Sequence, residues 1–302
     1  MRAVDYARLI ALAALWGASF IFTRSASPEF GAIPTAWVRV QLGGLVLIGY
    51  FAAIGFDMGW RRDWRRFALI GVLNSSIPFS LYAFAALYLP ASYSAIFNST
   101  TSLWGALFAA IWLAERMTLR KVCGLAMGIG GVALVVGLGG AETDRDFFLA
   151  VGACLCAALS YATVGTYVRK HARDIEPRAI AGASQMIAAA VLLPLLLLDQ
   201  PKTFDFDIAA NLVGLAVLSS GVAYLLYYRL LADVGPSKAL TVTFLIPAFA
   251  MLWGGIFLGE TITATMLLGT AVIILGTLLV AGRAGEAAEI ASDLGPTPAS
   301  KM

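Results

Sequence analysis

The side chains that ordinarily make and break bonds are scarce in this sequence and poorly grouped. The one histidine, His171, sits in a basic run, and Cys123, Cys154 and Cys156 lie in apolar stretches with no Cys-x-x-Cys spacing. That excludes a disulfide framework and supplies no metal-ligand set. The 18 acidic residues fall in tails, links or predicted helix ends. Apolar segments instead hold rings, hydroxyls and amides near their middles: Trp16, Ser19, Asn74, Ser75, Ser76, Asn98, Ser99, Thr100, Thr101, Ser102, Tyr161, Thr163, Gln185, Ser219, Ser220, Tyr224, Thr241 and Thr243. These groups do not titrate usefully near neutral pH. They can stack on and hydrogen-bond to a small molecule passing among them, which is binding chemistry without catalysis, cofactor or metal.

The elements that position them are set by composition. Hydrophobic residues make up 60% of the 302 and charged residues 13%, with a mean hydropathy of +0.83. A soluble domain carries about 25% charge, so most of this surface faces lipid. A net charge of +3, with basic residues confined to short links, gives no nucleic-acid surface. The N-terminal apolar run continues past Phe22 without a small-residue cleavage site and reads as a spanning helix.

Apolar stretches of about 20 residues cross a bilayer as helices. The sequence predicts ten, at 7–26, 34–55, 67–88, 92–113, 119–139, 147–168, 178–198, 208–230, 237–258 and 264–282. The expected fold is all-α and integral to the membrane. Cytoplasmic links hold the excess of Lys and Arg. With the N-terminus inside, 17 of the 21 basic residues fall on that side, including the predicted loop Arg61-Arg62-Asp63-Trp64-Arg65-Arg66. Arg24, Arg39, Arg145 and Lys202 fall on the other. Both termini are then cytoplasmic, and 284–302 reads as a disordered tail.

The chain repeats itself. Glu115 and Glu260 are 145 residues apart, and the same shift without a gap lays Arg24 on Arg169, Ser75 on Ser220, Tyr82 on Tyr227 and Ser92 on Ser237. It also lays Thr118 on Thr263, Gly124 on Gly269 and Gly131 on Gly276. Residues 1–140 and 147–283 become two five-helix repeats. Five is odd, so the second enters the membrane inverted, and inverted repeats place a substrate site near the midplane between the halves. Ten helices in two inverted repeats around a central cavity is the predicted architecture.

Phe79 and Tyr82 share a helix face, as do their mates Tyr224 and Tyr227, with Ser75 and Ser220 about a turn earlier. Trp16 maps onto Tyr161. The candidate substrate-binding set is Trp16, Ser75, Phe79, Tyr82, Asn98, Thr101, Tyr161, Ser220, Tyr224, Tyr227 and Thr243. A lone hydroxyl can return to a carbonyl of its own helix; Asn98 needs a partner helix, water or ligand. Tyr88 and Trp60 fit the interfacial aromatic belt. Glu115 and Glu260 lie at helix exits, three residues before threonines placed to N-cap the next helix, and are expected to receive that helix's free N–H groups. Arg24 and Arg39 are expected near the outer mouth, snorkelling, pairing with Glu29 or meeting a substrate carboxylate. Pro78, Pro194 and Pro247 mark bends.

The run Leu15-Trp-Gly-Ala-Ser-Phe-Ile-Phe-Thr-Arg24, Arg39 in the second helix, and the Glu115 and Glu260 motifs before Gly-rich fifth and tenth helices resemble the EamA type of the drug/metabolite transporter superfamily. The resemblance covers about 7–282. It implies export of small metabolites from a bacterial-type plasma membrane, nearest to bacterial amino-acid exporters, aromatic ones included. One position departs from many relatives: Ser102 stands where a proline is common, while its mate is Pro247. Partners are then a small-molecule substrate and lipid, without nucleic acid; oligomeric state is open, and a monomer is compatible. A multidrug or other metabolite exporter of the same superfamily is the rival. A nucleotide-sugar carrier would want basic groups at the midplane, where the sequence predicts none. A membrane receptor or enzyme is the rival of another class, and the enzyme lacks a cluster of reactive groups at one depth.

Overall fold

The computed structural model describes residues 1–138 and 144–281, so the expected tail at 284–302 lies outside the described residues. Among them there are helices and no strand. Those along the membrane run α1 (Ala3–Phe30), α2 (Ala32–Ala53) and α3 (Trp60–Ala85). Next come α4 (Ala91–Asn98), α5 (Thr101–Trp112), α6 (Leu119–Leu138), α7 (Arg145–His171), α8 (Pro177–Leu192) and α9 (Phe206–Val234). The short α10 (Pro236–Ala239), α11 (Val242–Leu258) and α12 (Ala264–Ala281) complete the set. Seven of the helical runs are long and apolar enough to cross a bilayer alone. With α4 joined to α5, α10 joined to α11, and α12, they make ten crossings.

The split crossings have a local cause. Ser99, Thr100 and Thr101 each donate a hydroxyl to the carbonyl three residues back, at 2.6, 2.6 and 2.7 Å. Thr241 and Thr243 do the same, at 2.7 and 2.8 Å. Hydroxyls that take the carbonyls leave the backbone to close i→i+3 turns, and the helix breaks there. In repeat register the breaks do not coincide: the first lies at 99–100, and the second at 240–241, whose mates are 95–96. α11 then runs on through Pro247, where the first repeat has Ser102.

Each repeat also widens at its serines. A π turn covers Val72–Ser76 in α3, and another covers Gly214–Val222 in α9. Pro78 has no N–H to offer the Asn74 carbonyl, which favours the first. Ser160 donates to the Leu73 carbonyl at 2.7 Å and Ser219 to the Leu15 carbonyl at 2.8 Å, so each π turn is tied to the opposite repeat. Pro194 is the second residue of the 3₁₀ turn Leu193–Leu197 that follows α8.

Packing follows the repeat. α1 lies on α11, and its mate α7 lies on α4 and α5; α2 packs on α8, and α6 on α12. The last pair is mirrored residue by residue. A Cβ built on Gly124 would stand 2.5 Å from the Gly276 carbonyl oxygen, and one on Gly276 would stand 2.6 Å from that of Gly124. The mates Gly131 and Gly269 repeat this at 2.9 and 3.0 Å. A pseudo-two-fold axis therefore passes through this seam, where backbones touch because glycine leaves room.

One predicted loop is helix. Arg61-Arg62-Asp63-Trp64-Arg65-Arg66 forms the first turns of α3, because Gly59 takes a left-handed φ of 68° and Asp63 places a carboxylate in the first turn. Arg66 reaches Asp174 at 2.8 Å, Arg169 reaches Glu115 at 2.6 Å and Arg8 reaches Asp233 at 2.6 Å, so these basic residues gather on one face of the protein.

The seam is expected to tolerate no added volume. Gly131→Leu or Gly276→Leu should each cost about 1–3 kcal/mol through overpacking, read as a lower melting temperature in detergent. Gly130→Ala, with nothing within 4 Å of the new methyl, should leave it unchanged.

Candidate functional site

The predicted aromatics meet in two mirrored pairs. Tyr82 stacks on Tyr161 with centroids 6.3 Å apart, and their mates Tyr227 and Trp16 pack at 5.3 Å. Phe20 sets its edge on Tyr82 at 5.5 Å, and Tyr224 packs against Trp16 at 6.3 Å. The Tyr82 hydroxyl donates to Asn98 Oδ1 at 2.8 Å, which supplies the partner that amide required. Asn74 lies near the Tyr224 hydroxyl.

The pairs differ in exposure. Tyr82 and Phe79 are buried, whereas Tyr227 and Tyr224 are half-buried. Ala95 and Ile96 beside the first pair are 0% exposed, while their mates are open, Leu240 at 51%. The half-site of the first repeat is buried, and that of the second is the more exposed of the two.

Arg39 joins the halves. Its expected place was the outer mouth; instead its Nε donates to Ser220 Oγ at 3.1 Å, and Ser220 lies halfway along α9. Its guanidinium carbon lies 3.7 Å above the centre of the Phe79 ring. Tyr82, Tyr161 and Tyr224 are within electrostatic range, and the residue is 9% exposed. Arg39 makes no ion pair among the described residues, with Glu29 or any other carboxylate. The expectation that no basic group reaches mid-depth is thereby corrected. Seven residues into α2, Arg39 stands near Gly43, whose Cβ would lie 2.8 Å from that of Ser220.

The remaining candidates divide. Ser75 is fully buried and its hydroxyl has no partner among the described residues. Thr101 and Thr243 return to their own helices, so their hydroxyls are already engaged. Gln185, on α8 beside Gly44, was noted in the sequence but not placed in the site; it is 0% exposed, with neither amide atom partnered. Its need for partners, like that of Asn98, was the available signal. Arg39, Asn74 and Phe20 complete the residues that the candidate set lacked.

The glutamate motifs act across the repeats. Thr118 and Thr263 do cap the next helices, accepting the Lys121 N–H at 3.4 Å and the Met266 N–H at 3.2 Å. The carboxylates go elsewhere. Glu260 accepts the Ala91 N–H at 2.6 Å, the Ser92 N–H at 3.1 Å and the Ser92 hydroxyl, at the N-terminus of α4. Arg24 donates to the carbonyls of Ala86 and Leu87 at the end of α3. Together they hold the corner between α3 and α4 from both sides. On the basic face Glu115 bonds Arg169 at 2.6 Å and Lys121 at 3.0 Å. Partial burial alone would raise its pKa, but these two cations hold the carboxyl below its ordinary range.

Membrane-crossing helices in two mirrored halves, with a polar and aromatic site between them, are the architecture of a multi-pass transport protein. The chain belongs to the EamA-like transporter family, whose profile matches residues 6–137 and again 148–282. It is a membrane transporter and not an enzyme. It is 26% identical over 279 residues to YvbV, a transporter of Bacillus subtilis, covering 89% of this chain and 88% of that one. It is 25% identical over 280 residues to the inner membrane transporter YedA of Escherichia coli, covering 91% and 90%. A protein of Streptantibioticus cattleyicolor named "Probable terminal-alkyne amino-acid exporter" is 23% identical over 276 residues, covering 90% and 91%. A solved crystal structure shares the fold at a TM-score of 0.64 and 18% identity, covering 98% of this chain and all of that one.

Tyr82→Phe should leave Asn98 without its donor and lower stability by about 1–3 kcal/mol, measured by thermal unfolding. Tyr88→Phe, at an exposed ring, should not.

Proposed function

We propose that this transporter exports amino acids, aromatic and large apolar ones included, across a bacterial plasma membrane by alternating access. The observation that carries the reading is the pair of mirrored aromatic half-sites, one buried and one half-exposed, meeting at Ser220 and Arg39 near mid-depth. A ring stacked between such pairs would meet tyrosine faces on its way across, and the named amino-acid exporter among the relatives supports the same class. The substrate-binding set is Trp16, Ser75, Phe79, Tyr82, Asn98, Tyr161, Ser220, Tyr224 and Tyr227, with Thr101 and Thr243 at the helix breaks. Residues 1–140 and 147–283 are its two moving repeats. The basic face, with both termini, is cytoplasmic on the distribution of Lys and Arg.

Transport runs down the substrate's own gradient. A proton-coupled carrier needs a group at the site that titrates with access to each side. The site here offers phenols, amides, hydroxyls and an arginine, and none of these loses or gains a proton near neutral pH.

The test is flux in sealed proteoliposomes. Labelled phenylalanine should enter and equilibrate, and Tyr82→Ala or Tyr227→Ala should weaken it about three- to tenfold, the worth of one aromatic contact. Tyr88→Ala should leave it unchanged. A pH gradient, with the membrane potential clamped, should drive no accumulation. Uptake of unrelated hydrophobic drugs without competition by any amino acid would favour the multidrug reading instead.

A further inference from the structure

We propose that Arg39 is the residue that receives the substrate's carboxylate, an inference that rests on the transport reading and names the chemistry of its site. A guanidinium stays charged at any physiological pH, and a charge at this depth needs compensation. Compensation is incomplete. Nε is engaged by Ser220 and the Phe79 ring lies beneath, yet Nη1 and Nη2 make no hydrogen bond among the described residues. Those two nitrogens form the planar fork that binds a carboxylate through two parallel bonds. The acidic side chains that make ion pairs lie at helix ends and not at this level. The counter-ion therefore arrives with the substrate, and the aromatic pairs that hold Tyr82, Tyr161 and Tyr224 receive its apolar part. The same charge works against cationic drugs.

The experiment compares phenylalanine with phenylalaninamide, which lacks only the negative charge, as competitors for labelled phenylalanine. Wild type should prefer the acid by about 10–100-fold, the worth of charge-assisted hydrogen bonds. Arg39→Gln should shrink the preference to about twofold or less, and Arg39→Lys should keep part of it. Equal competition in wild type, or an undiminished preference in Arg39→Gln, overturns the assignment. If wild type moves no amino acid, phenylacetate and phenylacetamide are compared by the melting-temperature shift each confers. A shift with the acid alone, lost in Arg39→Gln, keeps the assignment while the amino-acid reading falls; no shift with either overturns both.

A separate observation carries a second inference. At the sealed corner Arg24 and Glu260 part company to grip Ala86, Leu87, Ala91 and Ser92. On the basic face their mates Arg169 and Glu115 bond each other instead. α4 packs on α11, while α5 and α10 make no comparable packing among the described residues. We infer that the two Arg–Glu pairs exchange roles between states. In the opposite state Arg169 and Glu115 grip the corner around Leu231, Ala232 and Ser237, and Arg24 and Glu260 close on each other. The latches are unequal in sequence: Ala91 gives Glu260 an N–H, whereas its mate is Pro236, which has none. The second latch is the weaker by one charge-assisted bond, and the resting protein favours the state described here.

Cysteines at Ala95 and Leu240, in a protein freed of Cys123, Cys154 and Cys156, report the two corners to a maleimide. Glu260→Gln should raise labelling at Ala95→Cys and lower it at Leu240→Cys, each about tenfold. Glu115→Gln should leave labelling at Ala95→Cys no faster than before, and a rise there overturns the exchange. Rates that rise together, or do not move with Glu260→Gln, overturn the exchange.

Discussion

Hydrocarbon offers no hydrogen bonds, so each polar group inside the membrane must be satisfied by the protein or by what passes through it. Most irregular features here follow from that constraint. Hydroxyls in 99–101 and at Thr241 and Thr243 satisfy themselves on helix carbonyls and thereby break two crossings. The Leu73 carbonyl in the first π turn takes Ser160 from the opposite repeat, and Ser219 in the second π turn gives its hydroxyl to the Leu15 carbonyl of α1. The ends of α3 and α4 are closed by the side chains of Arg24 and Glu260 in place of water. Of the groups left over among the described residues, the Gln185 amide, the Ser75 and Ser80 hydroxyls and the fork of Arg39 lie on α8, α3 and α2, and the Ser27 hydroxyl lies near the end of α1. In a bilayer, unspent hydrogen-bonding capacity calls for an explanation, and several of these groups lie on the helices that carry the candidate site.

Symmetry and its failure divide the labour. The seam of α6 with α12 and the contact of α2 with α8 obey the two-fold, and they join the halves. The corners disobey it. Ala95 is shut away while Leu240 is half in the open, although the two hold the same place in the repeat. A duplicated chain whose halves adopt different conformations already contains the description of a second conformation, in which each half adopts the other's. The aromatic pairs keep mirrored places with unequal geometry, Tyr82 stacked on Tyr161 and Tyr227 tilted against Trp16.

The sequence made the architecture legible because its strongest signals are periodic or repeated. Hydropathy located ten crossings, the shift of 145 residues revealed the duplication, and the pairing of Trp16 with Tyr161 and of Tyr82 with Tyr227 anticipated the half-sites. Asn98 was legible because an amide cannot satisfy itself. Arg39 was misjudged because counting residues from a helix start gives depth, while its partner, Ser220, comes from a helix 181 positions away in the chain. Glu260 was read against its own next helix for the same reason: Ala91 is 169 positions distant. The basic run before Phe67 looked like a loop because charge masks helix periodicity, although Gly59 and Asp63 carried the start signal.

The glycine seam has a consequence for assembly. Gly124 against Gly276 and Gly131 against Gly269 are one contact made twice, so the interface is isologous, as in a two-fold homodimer. Such an interface takes its geometry from each repeat alone, and the covalent connection adds only local concentration. Two separate half-length chains inserted in opposite directions would form the same seam. What fusion secures is orientation, because a single chain fixes which copy points which way. Once that is fixed the copies are free to diverge, as Arg39, with Ser184 at its counterpart position, already has.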